Sequence, residues 1–281
     1  MPTVDEYISA VHHLVPAPVL LPQLLPLLTR PDSDSSKIVD LISNNQSLTA
    51  NVLRVCNSAY YGCGSQIDNL QQAVTRIGFH QLYDIVISVT TSISLSGSQT
   101  GYCVEENGLW EHSIAVAVAA QLIAHDVQVD PQVVFTAAIL HDVGKIVLSP
   151  ALDKVLDKVV YETDKSGSSS LGVETKLLGV NHAEVGARLL ERWKLPQNLI
   201  SAVLHHHRPS EAKGHERLAA CVNLGDAVAY FMGYGYGNFS LDLKASRETS
   251  EILYLSSEQV PHYMTASFEK LKQVKDLYHL K

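Results

Sequence analysis

Cysteine is scarce in this sequence of 281 residues, which contains only Cys56, Cys63, Cys103 and Cys221. No two of them form a Cys-x-x-Cys pair, so the sequence does not predict a zinc site built from thiolates. In a chain of this size, such cysteines are typical of reduced and mostly buried thiols. We therefore expect a cytoplasmic protein whose chemistry does not depend on cysteine.

Basic residues are also in the minority, with 21 Lys and Arg against 29 Asp and Glu and a formal net charge of -8. A protein that tracks a nucleic-acid backbone needs a basic surface, so no nucleic-acid partner is predicted. Small phosphorylated ligands remain compatible with this charge, because a bound metal ion can supply local positive charge.

Signals for export or membrane insertion are missing from the N-terminal region. No Lys or Arg precedes Arg30, so the basic segment of a signal peptide is absent. The apolar stretch Pro16–Leu28 contains four prolines and is shorter than the ~20 residues that a spanning helix needs. We predict no membrane segment.

Strand signals are rare, whereas helical periodicity extends along most of the chain and predicts an all-α fold. A strand is kept as the minor alternative for residues 82–95, which are rich in Ile and Val. The polar, glycine-containing segment 94–108 is predicted to separate an N-terminal helical subdomain (1–100) from a second helical domain (101–281). Helices of the second domain are predicted at about 109–125, 131–148, 151–163, 182–193, 197–207, 215–231 and 265–278.

Several polar side chains lie on the apolar faces of these predicted helices. His182 lies three residues before Val185, and Asp226 lies four residues after Val222, so both share a face with apolar neighbours. A histidine or carboxylate that faces the interior alone is costly, so each needs a partner. The inward-facing set is His112, His141, Asp142, His182, His206, His207 and Asp226.

The residues alone leave two interpretations of this set open. Each histidine can be a hydrogen-bonded core residue, Asp226 can form a cap or salt bridge, and residues 205–207 can form a solvated helix end. Alternatively, the side chains converge on metal ions. Imidazole and carboxylate ligands without thiolate suit iron, manganese, zinc, nickel or cobalt. Seven ligands are too many for one tetrahedral ion but fit two ions bridged by a carboxylate.

Lys145 lies four residues after His141, so its ammonium group is predicted to reach the same site. At that position it could bind a phosphoryl oxygen as a point charge.

Several motifs carry a family resemblance. The motif Leu140-His-Asp-Val-Gly-Lys145 resembles the signature of HD-domain phosphohydrolases. The stretch from Asn181 to Pro196 and the motif Ala202-Val-Leu-His-His-His-Arg-Pro209 are similar to the HDOD family, the HD-related output domain of bacterial signalling. The stretches from Leu48 to Gly62 and from Asn69 to Gly78 look like the N-terminal half of that family. The resemblance covers about residues 16–230.

The resemblance implies an all-α fold in which an HD-domain-like helical bundle carries an additional N-terminal helical subdomain. It also implies the ligand order of the related HD-GYP phosphodiesterases, which is filled here at every position by His112, His141, Asp142, His182, His206, His207 and Asp226. Two divalent metal ions are therefore expected, with iron or manganese favoured and zinc, nickel or magnesium as alternatives. The Gly-Tyr-Pro motif of the relatives is replaced by Arg208-Pro-Ser-Glu-Ala-Lys213, which argues against hydrolysis of cyclic dinucleotides.

Two functions are compatible with these expectations. The first is a dinuclear-metal phosphohydrolase or phosphodiesterase in bacterial signal transduction, with Asp142 and Lys145 as catalytic residues and a nucleotide or other phosphorylated small ligand as substrate. The second is a non-catalytic HDOD output module that binds a ligand or a signalling protein partner. Turnover by fully metallated protein distinguishes the two.

Overall fold

In the computed structural model, the described residues are 1–11, 22–23, 35–58, 61, 66–166, 169–235 and 244–278, and within these ranges the chain forms helices and no β-strand. The all-α prediction is therefore confirmed. The α-helices are α1 (Val4–Ala10), α2 (Ser35–Ser43), α3 (Gln46–Cys56), α4 (Leu70–Ile77), α5 (Phe79–Leu95), α6 (Gly108–Asp126), α7 (Pro131–Leu140), α8 (Gly144–Asp153), α9 (Leu156–Ser166), α10 (Ser170–Leu178), α11 (His182–Arg192), α12 (Gln197–His205), α13 (Glu216–Ala229), α14 (Lys244–Leu253) and α15 (Val260–Tyr278).

The helix ends follow from local side chains. The Asn45, Asn69 and Asn181 side chains accept hydrogen bonds from the first turns of α3, α4 and α11, which satisfies amide groups that have no partner inside the helix. Gly78 ends α4 with φ at 85°, a conformation that favours glycine.

Helix α6 lies at the centre of the second half of the chain and packs against α7, α13 and α15. Its Ala- and Val-rich sequence is buried around its whole circumference from Ile114 to Ala120, so small side chains let neighbouring helices approach closely. One such close approach is at Gly225 of α13, where an added Cβ would overlap Ala120. This contact holds α13 against the middle of α6, and Asp226 is the next residue along α13.

The N-terminal helices α2–α5 pack together, and α5 joins them to α6 and α7. Helix α1 packs instead on α8 and α11, where Asp5 forms ion pairs of 2.9 Å with Arg188 and Arg192. The division of the chain into subdomains at 1–100 and 101–281 stays a prediction.

Several predicted boundaries are wrong in detail. The strand alternative at 82–95 fails because these residues continue the helix that begins at Phe79. The single helix predicted at 131–148 is broken at residues 141–143, and α9 occupies 156–166 rather than 151–163. The closing helix begins at Val260 rather than 265, and α10 and α14 were not predicted. The sequence also predicts an amphipathic helix from Asp5 to Val15, whereas α1 ends at Ala10; residues 12–15 lie outside the described ranges.

One stretch in the described part of the chain, Pro131–Asp153, is long and apolar enough to cross a membrane by length and composition. Of its most apolar window, 83% is buried inside the fold, as in the core helix of a folded domain.

Candidate metal centre

Seven polar side chains converge where α6, α7, α8, α11, α12 and α13 meet. His112 lies near the start of α6, and His182 is the first residue of α11. The turn after α7 supplies two residues, the turn after α12 supplies two more, and α13 supplies the last. We call the whole set the His–Asp cluster: His112, His141, Asp142, His182, His206, His207 and Asp226.

The first group of the cluster consists of His112, His141 and Asp226. One ligand atom from each residue lies within 4.8 Å of the others. The Nε2 atom of His112 is 3.2 Å from the Asp226 Oδ1 atom, and the rings of His112 and His141 are 5.3 Å apart. Two imidazoles and a carboxylate at this spacing form a donor set suited to a first-row transition metal.

The second group consists of His182, His206 and His207. Their ligand atoms also lie within 4.8 Å of one another, and the rings of His206 and His207 are 4.0 Å apart. Helix α12 ends at His205, so His206 and His207 lie in the turn that follows it, not on its apolar face as the sequence suggested. The turn directs both rings toward the cluster.

Asp142 lies between the two groups. Its Oδ1 atom is 3.2 Å from the His182 Nε2 atom, whereas its Oδ2 atom is 3.3 Å from His141 Nε2 and 3.7 Å from His112 Nε2. The break between α7 and α8 produces this placement, because tight hydrogen bonds join Leu140 to Val143 and Asp142 to Lys145. A carboxylate that faces both donor groups has the geometry of a bridging ligand.

Lys145 contacts this same carboxylate. Its Nζ atom donates to the Asp142 Oδ2 atom at 2.6 Å, and it lies 5.7 Å from the centre of the Tyr102 ring. The ammonium group thus reaches the site as predicted, but its partner is the central aspartate. Both side chains are buried, so each depends on the other for compensation of its charge.

The outer nitrogens of four cluster histidines are held by hydrogen-bond acceptors. The Nδ1 atoms of His112, His141 and His206 lie 2.8, 2.6 and 2.7 Å from the carbonyl oxygens of Tyr234, Ala138 and Val203, and that of His182 lies 2.7 Å from Glu174 Oε2. Because carbonyl oxygens only accept, the three Nδ1 atoms must carry the proton. The Nε2 lone pair of a neutral ring then faces the centre of the cluster, which is the arrangement found around metal-bound histidines.

Two contacts test whether a cation fits this centre. The Nε2 atoms of His182 and His207 are 2.9 Å apart, and two lone pairs at that distance repel unless a proton or a cation lies between them. Two nitrogens that share one ion at about 2.0–2.1 Å have a similar separation. The buried Nε2 atom of His206 has no hydrogen-bond partner among the described residues. Donor type, spacing and this unsatisfied atom fit a bound metal ion.

The protonation states also fit metal ligation. Burial, reinforced by His141 and His182, lowers the pKa of His206 to about 3, and burial with His206 holds the pKa of His207 well below its usual range. Burial alone would raise the pKa of Asp142, but His141 and Lys145 outweigh it and hold that pKa well below normal. In the same way, the hydrogen bond from His112 outweighs burial and lowers the pKa of Asp226 to about 2. At neutral pH His206 and His207 are therefore neutral imidazoles, and Asp142 and Asp226 are ionised carboxylates, the forms that bind metals. His141 differs from them: burial would lower its pKa, but the neighbouring Asp142 and Asp226 outweigh burial and raise that pKa.

Glu174 of α10 is part of the site and was missed in the sequence. Its carboxylate is fully buried and accepts hydrogen bonds from the backbone and ring of His182, from Tyr102 and from Ser170. A signal was present, because Glu174 lies three and four residues before Leu177 and Leu178 on one helical face. The Ser- and Gly-rich residues 166–172 just before it predict a flexible connection instead of a helix, and residues 167–168 of this stretch lie outside the described ranges.

Two glycines set the distance between α8 and α11. A Cβ atom added to Gly144 would overlap the carbonyl oxygen of His182 and the backbone nitrogen of Gly186. No other residue fits at this point without separating the two helices. The glycine of the His-Asp-Val-Gly-Lys motif therefore keeps His182 within reach of Asp142.

All seven predicted ligand residues thus lie in one cluster, and their role as metal ligands stays a prediction. A family model described as the HDOD domain matches residues 14–209 of the chain. An uncharacterized protein of Treponema pallidum is 26% identical over 73% of this chain and 40% of its own length. Ribonuclease Y of Opitutus terrae is 26% identical over 57% of this chain and 24% of that protein. The chain thus spans less than half the length of these relatives.

Solved structures share the fold. An HDOD domain protein of unknown function from Geobacter sulfurreducens has a TM-score of 0.76 at 24% identity, covering 97% of this chain and 95% of that one. A protein from Shewanella amazonensis, provisionally named a phosphohydrolase, has a TM-score of 0.71 at 20% identity, covering 99% and 98%. At these identities the likeness concerns the fold.

Proposed function

This chain belongs to the HDOD family, and on that premise we propose that it is a metal-dependent phosphohydrolase or phosphodiesterase of bacterial signal transduction. The substrate would be a nucleotide or another phosphorylated small molecule. The observation that carries the proposal is the pair of three-residue donor groups with Asp142 between them. A monophosphate or phosphodiester group is the kind of substrate that a two-metal site of this type attacks.

Each of the two donor groups would bind one ion. His112, His141 and Asp226 would hold one, and His182, His206 and His207 would hold the other, with Asp142 shared. When bound, two divalent ions lower the pKa of a coordinated water and neutralise charge on phosphoryl oxygens. Iron or manganese suits this mixture of imidazole and carboxylate ligands, with zinc, nickel or magnesium as alternatives.

The protein's own groups position these ligands. The carbonyl oxygens of Ala138 and Val203 fix the ring orientation of His141 and His206, and Glu174 fixes that of His182. Lys145 orients the Asp142 carboxylate, and its ammonium group lies close enough to the cluster to stabilise negative charge on a phosphoryl group. Lys145 would thus act on both the central ligand and the substrate.

Access to the cluster is asymmetric. His112, His141, Asp142, His182 and His206 are buried, whereas His207 is partly exposed and the Asp226 side chain is 21% exposed. A phosphoryl group would therefore approach from the side of His207 and Asp226. The buried opposite side excludes water, which strengthens the electrostatic interactions within the site.

Elemental analysis of purified protein followed by turnover assays tests this function. Protein loaded with manganese or iron should contain up to two ions per chain and hydrolyse bis(p-nitrophenyl) phosphate or nucleoside monophosphates. The double variant His141→Ala, Asp142→Ala should lose both the ions and the activity. His205→Ala is the matched control, since His205 is adjacent to the cluster but outside it. Turnover that is equal in the double variant and the control would refute the proposal.

Binding without turnover is the second candidate function. It is favoured by the ion pair between Lys145 and Asp142, because this pair engages the carboxylate oxygen nearest the first donor group. Such a site would sense a ligand or a signalling partner, and its metal would be structural. Stoichiometric metal and tight binding of a nucleotide, with no product formed over hours, would support this function over the hydrolase.

A further inference from the structure

Buried polar side chains outside the His–Asp cluster contact the turn that carries His206 and His207. The Nδ2 atom of Asn223 donates to the backbone carbonyl oxygen of His206 at 2.8 Å, and the hydroxyl group of Thr249 donates to the Oδ1 atom of Asn223 at 2.6 Å. Thr249 is fully buried and Asn223 is 8% exposed. Two consecutive buried hydrogen bonds thus connect α14 to the backbone of a proposed metal ligand.

The chemistry of the three groups fixes the direction of both bonds. A carbonyl oxygen only accepts, so the amide nitrogen of Asn223 must face His206 and its oxygen must face Thr249. A threonine hydroxyl has one proton, which in a helix often goes to a carbonyl one turn earlier. Thr249 donates this proton to α13 instead. It therefore stabilises the amide orientation in which Asn223 can hold His206.

The position of Asn223 also relates the two donor groups to each other. Asn223 lies three residues before Asp226 on α13, so both side chains lie on the same side of that helix. Helix α13 thus carries a ligand of the first donor group and, one turn earlier, the residue that holds the turn of the second. A further contact supports this turn, because the Glu248 carboxylate of α14 accepts from the backbone nitrogen of Ser210 at 3.2 Å.

From these contacts we propose that Thr249 is a positioning residue for the second donor group, and that it acts through Asn223. The proposal rests on the metal centre of the proposed function but not on catalysis. Both residues lie beyond residue 209, where the match to the family model ends. Because the ring of His206 moves with its backbone, loss of the Thr249 hydroxyl should weaken binding of the ion at the second donor group more than at the first.

Replacing Thr249 with Val tests this role, because Val is also branched at Cβ but cannot donate. Manganese titration against a chelator of known affinity should show two binding steps in the natural chain. The step that His207→Ala abolishes should weaken about tenfold in Thr249→Val, at the lower end of the effect of removing a partner of a metal ligand. Thr249→Ser keeps the hydroxyl and should restore the affinity. Thr265→Val is the matched control, since Thr265 is exposed and its hydroxyl bonds to Pro261 in its own helix.

Two further measurements separate this role from a general loss of stability. In an Asn223→Ala background, Thr249→Val should cause no additional loss of metal affinity, because the residue through which it acts is gone. In metal-free protein, the Arg208 amide donates to the His205 carbonyl oxygen and closes the turn. Its hydrogen exchange should be about threefold to tenfold faster in Thr249→Val than in Thr265→Val, the effect of losing one hydrogen bond.

The outcomes distinguish this inference from the proposed function. Equal metal affinities in Thr249→Val and Thr265→Val would overturn the inference even in a protein that turns over substrate, and this comparison decides the matter if Asn223→Ala folds poorly. A selective loss of the second ion in a protein without turnover would support the inference and refute the hydrolase. A natural chain that binds no metal would overturn both.

Discussion

Replacing Glu174 with Gln tests whether the cluster depends on ionised carboxylates outside its ligand set. The Glu174 Oε2 atom accepts from the backbone nitrogen and the Nδ1 atom of His182, both at 2.7 Å, and Oε1 accepts from Tyr102 and Ser170 at 2.9 and 2.7 Å. Gln preserves the size of the side chain but removes its charge. The two hydroxyl groups can rotate to accept from the new amide, whereas the two His182 donors cannot.

The loss therefore concerns the two bonds to His182. A hydrogen bond to a charged group contributes about 1.5–3 kcal/mol, of which a neutral acceptor retains roughly half. Glu174→Gln should thus lower the free energy of unfolding by about 2–3 kcal/mol. Since His182 is a proposed metal ligand, metal affinity should also fall about tenfold to a hundredfold, the usual effect of removing a partner of a metal-bound histidine.

Urea unfolding of metal-free protein measures the first effect, and competition with a chelator of known affinity measures the second. Glu184→Gln is the matched control, because Glu184 lies on α11 near His182 but is exposed, where it caps the helix. The control should change either quantity by only a few tenths of a kcal/mol or less than twofold. Equal metal affinities in the two variants would refute the idea that Glu174 orients His182 for a metal.

Three further predictions concern glycine, metal and pH. Gly144→Ala should reduce bound metal and destabilise the fold by about 2 kcal/mol or more, because the new methyl group overlaps the backbone of α11 at His182. Elemental analysis measures the metal content and urea unfolding measures the stability. Gly97→Ala is the control, since a methyl group at Gly97 has free space around it. Chelation should lower the Tm of metal-loaded protein by about 5 °C, as measured by calorimetry, and should have no effect on the double variant His141→Ala, Asp142→Ala. Burial, only partly offset by Gln121 and Lys270, raises the pKa of Asp84 from 3.8 to about 6, so the folded state binds a proton that the unfolded state releases between these values. The resulting stabilisation is complete below about pH 4 and is lost as pH rises through about 6. In Asp84→Asn the free energy of unfolding should no longer fall with pH over this range, and at pH 8 the variant should be more stable than the natural chain by up to about 2 kcal/mol in urea unfolding. The same pH dependence in the variant and the natural chain would contradict the assignment.

Much of the candidate centre was predictable because its residues break a regular pattern. His182 and Asp226 occupy positions where helical periodicity calls for apolar side chains, and both lie in the cluster. The periodicity also gave the all-α fold, since a period near 3.6 residues continues through most of the chain. Hydrophobic periodicity does not predict the direction of a side chain in a turn. His206 and His207 were placed on a helix face, whereas the structure has them in a turn.

The parts that escaped prediction depend on contacts between distant segments. The role of Glu174 could not be predicted because two of its partners, His182 and Tyr102, lie on other elements; the one local signal was its position on an apolar helix face. Lys145 was assigned to a phosphate because its spacing from His141 was visible, whereas its pairing with Asp142 depends on the tight turn before α8. The hydrogen bonds from Lys270 to Gln121 and from Gln121 to Asp84 likewise join three helices, so local sequence patterns do not predict them.

The contact between Gly144 and the backbone of α11 has a consequence for which ion the centre accepts. No side chain separates the two segments that carry Asp142 and His182, so the spacing of their backbones is set by direct main-chain contact. Repacking of side chains cannot increase the distance between these two backbones to accommodate a larger ion. Ionic radius should therefore matter as much as ligand softness, and an ion that needs long bonds, such as calcium at about 2.3–2.6 Å, should compete poorly even in excess.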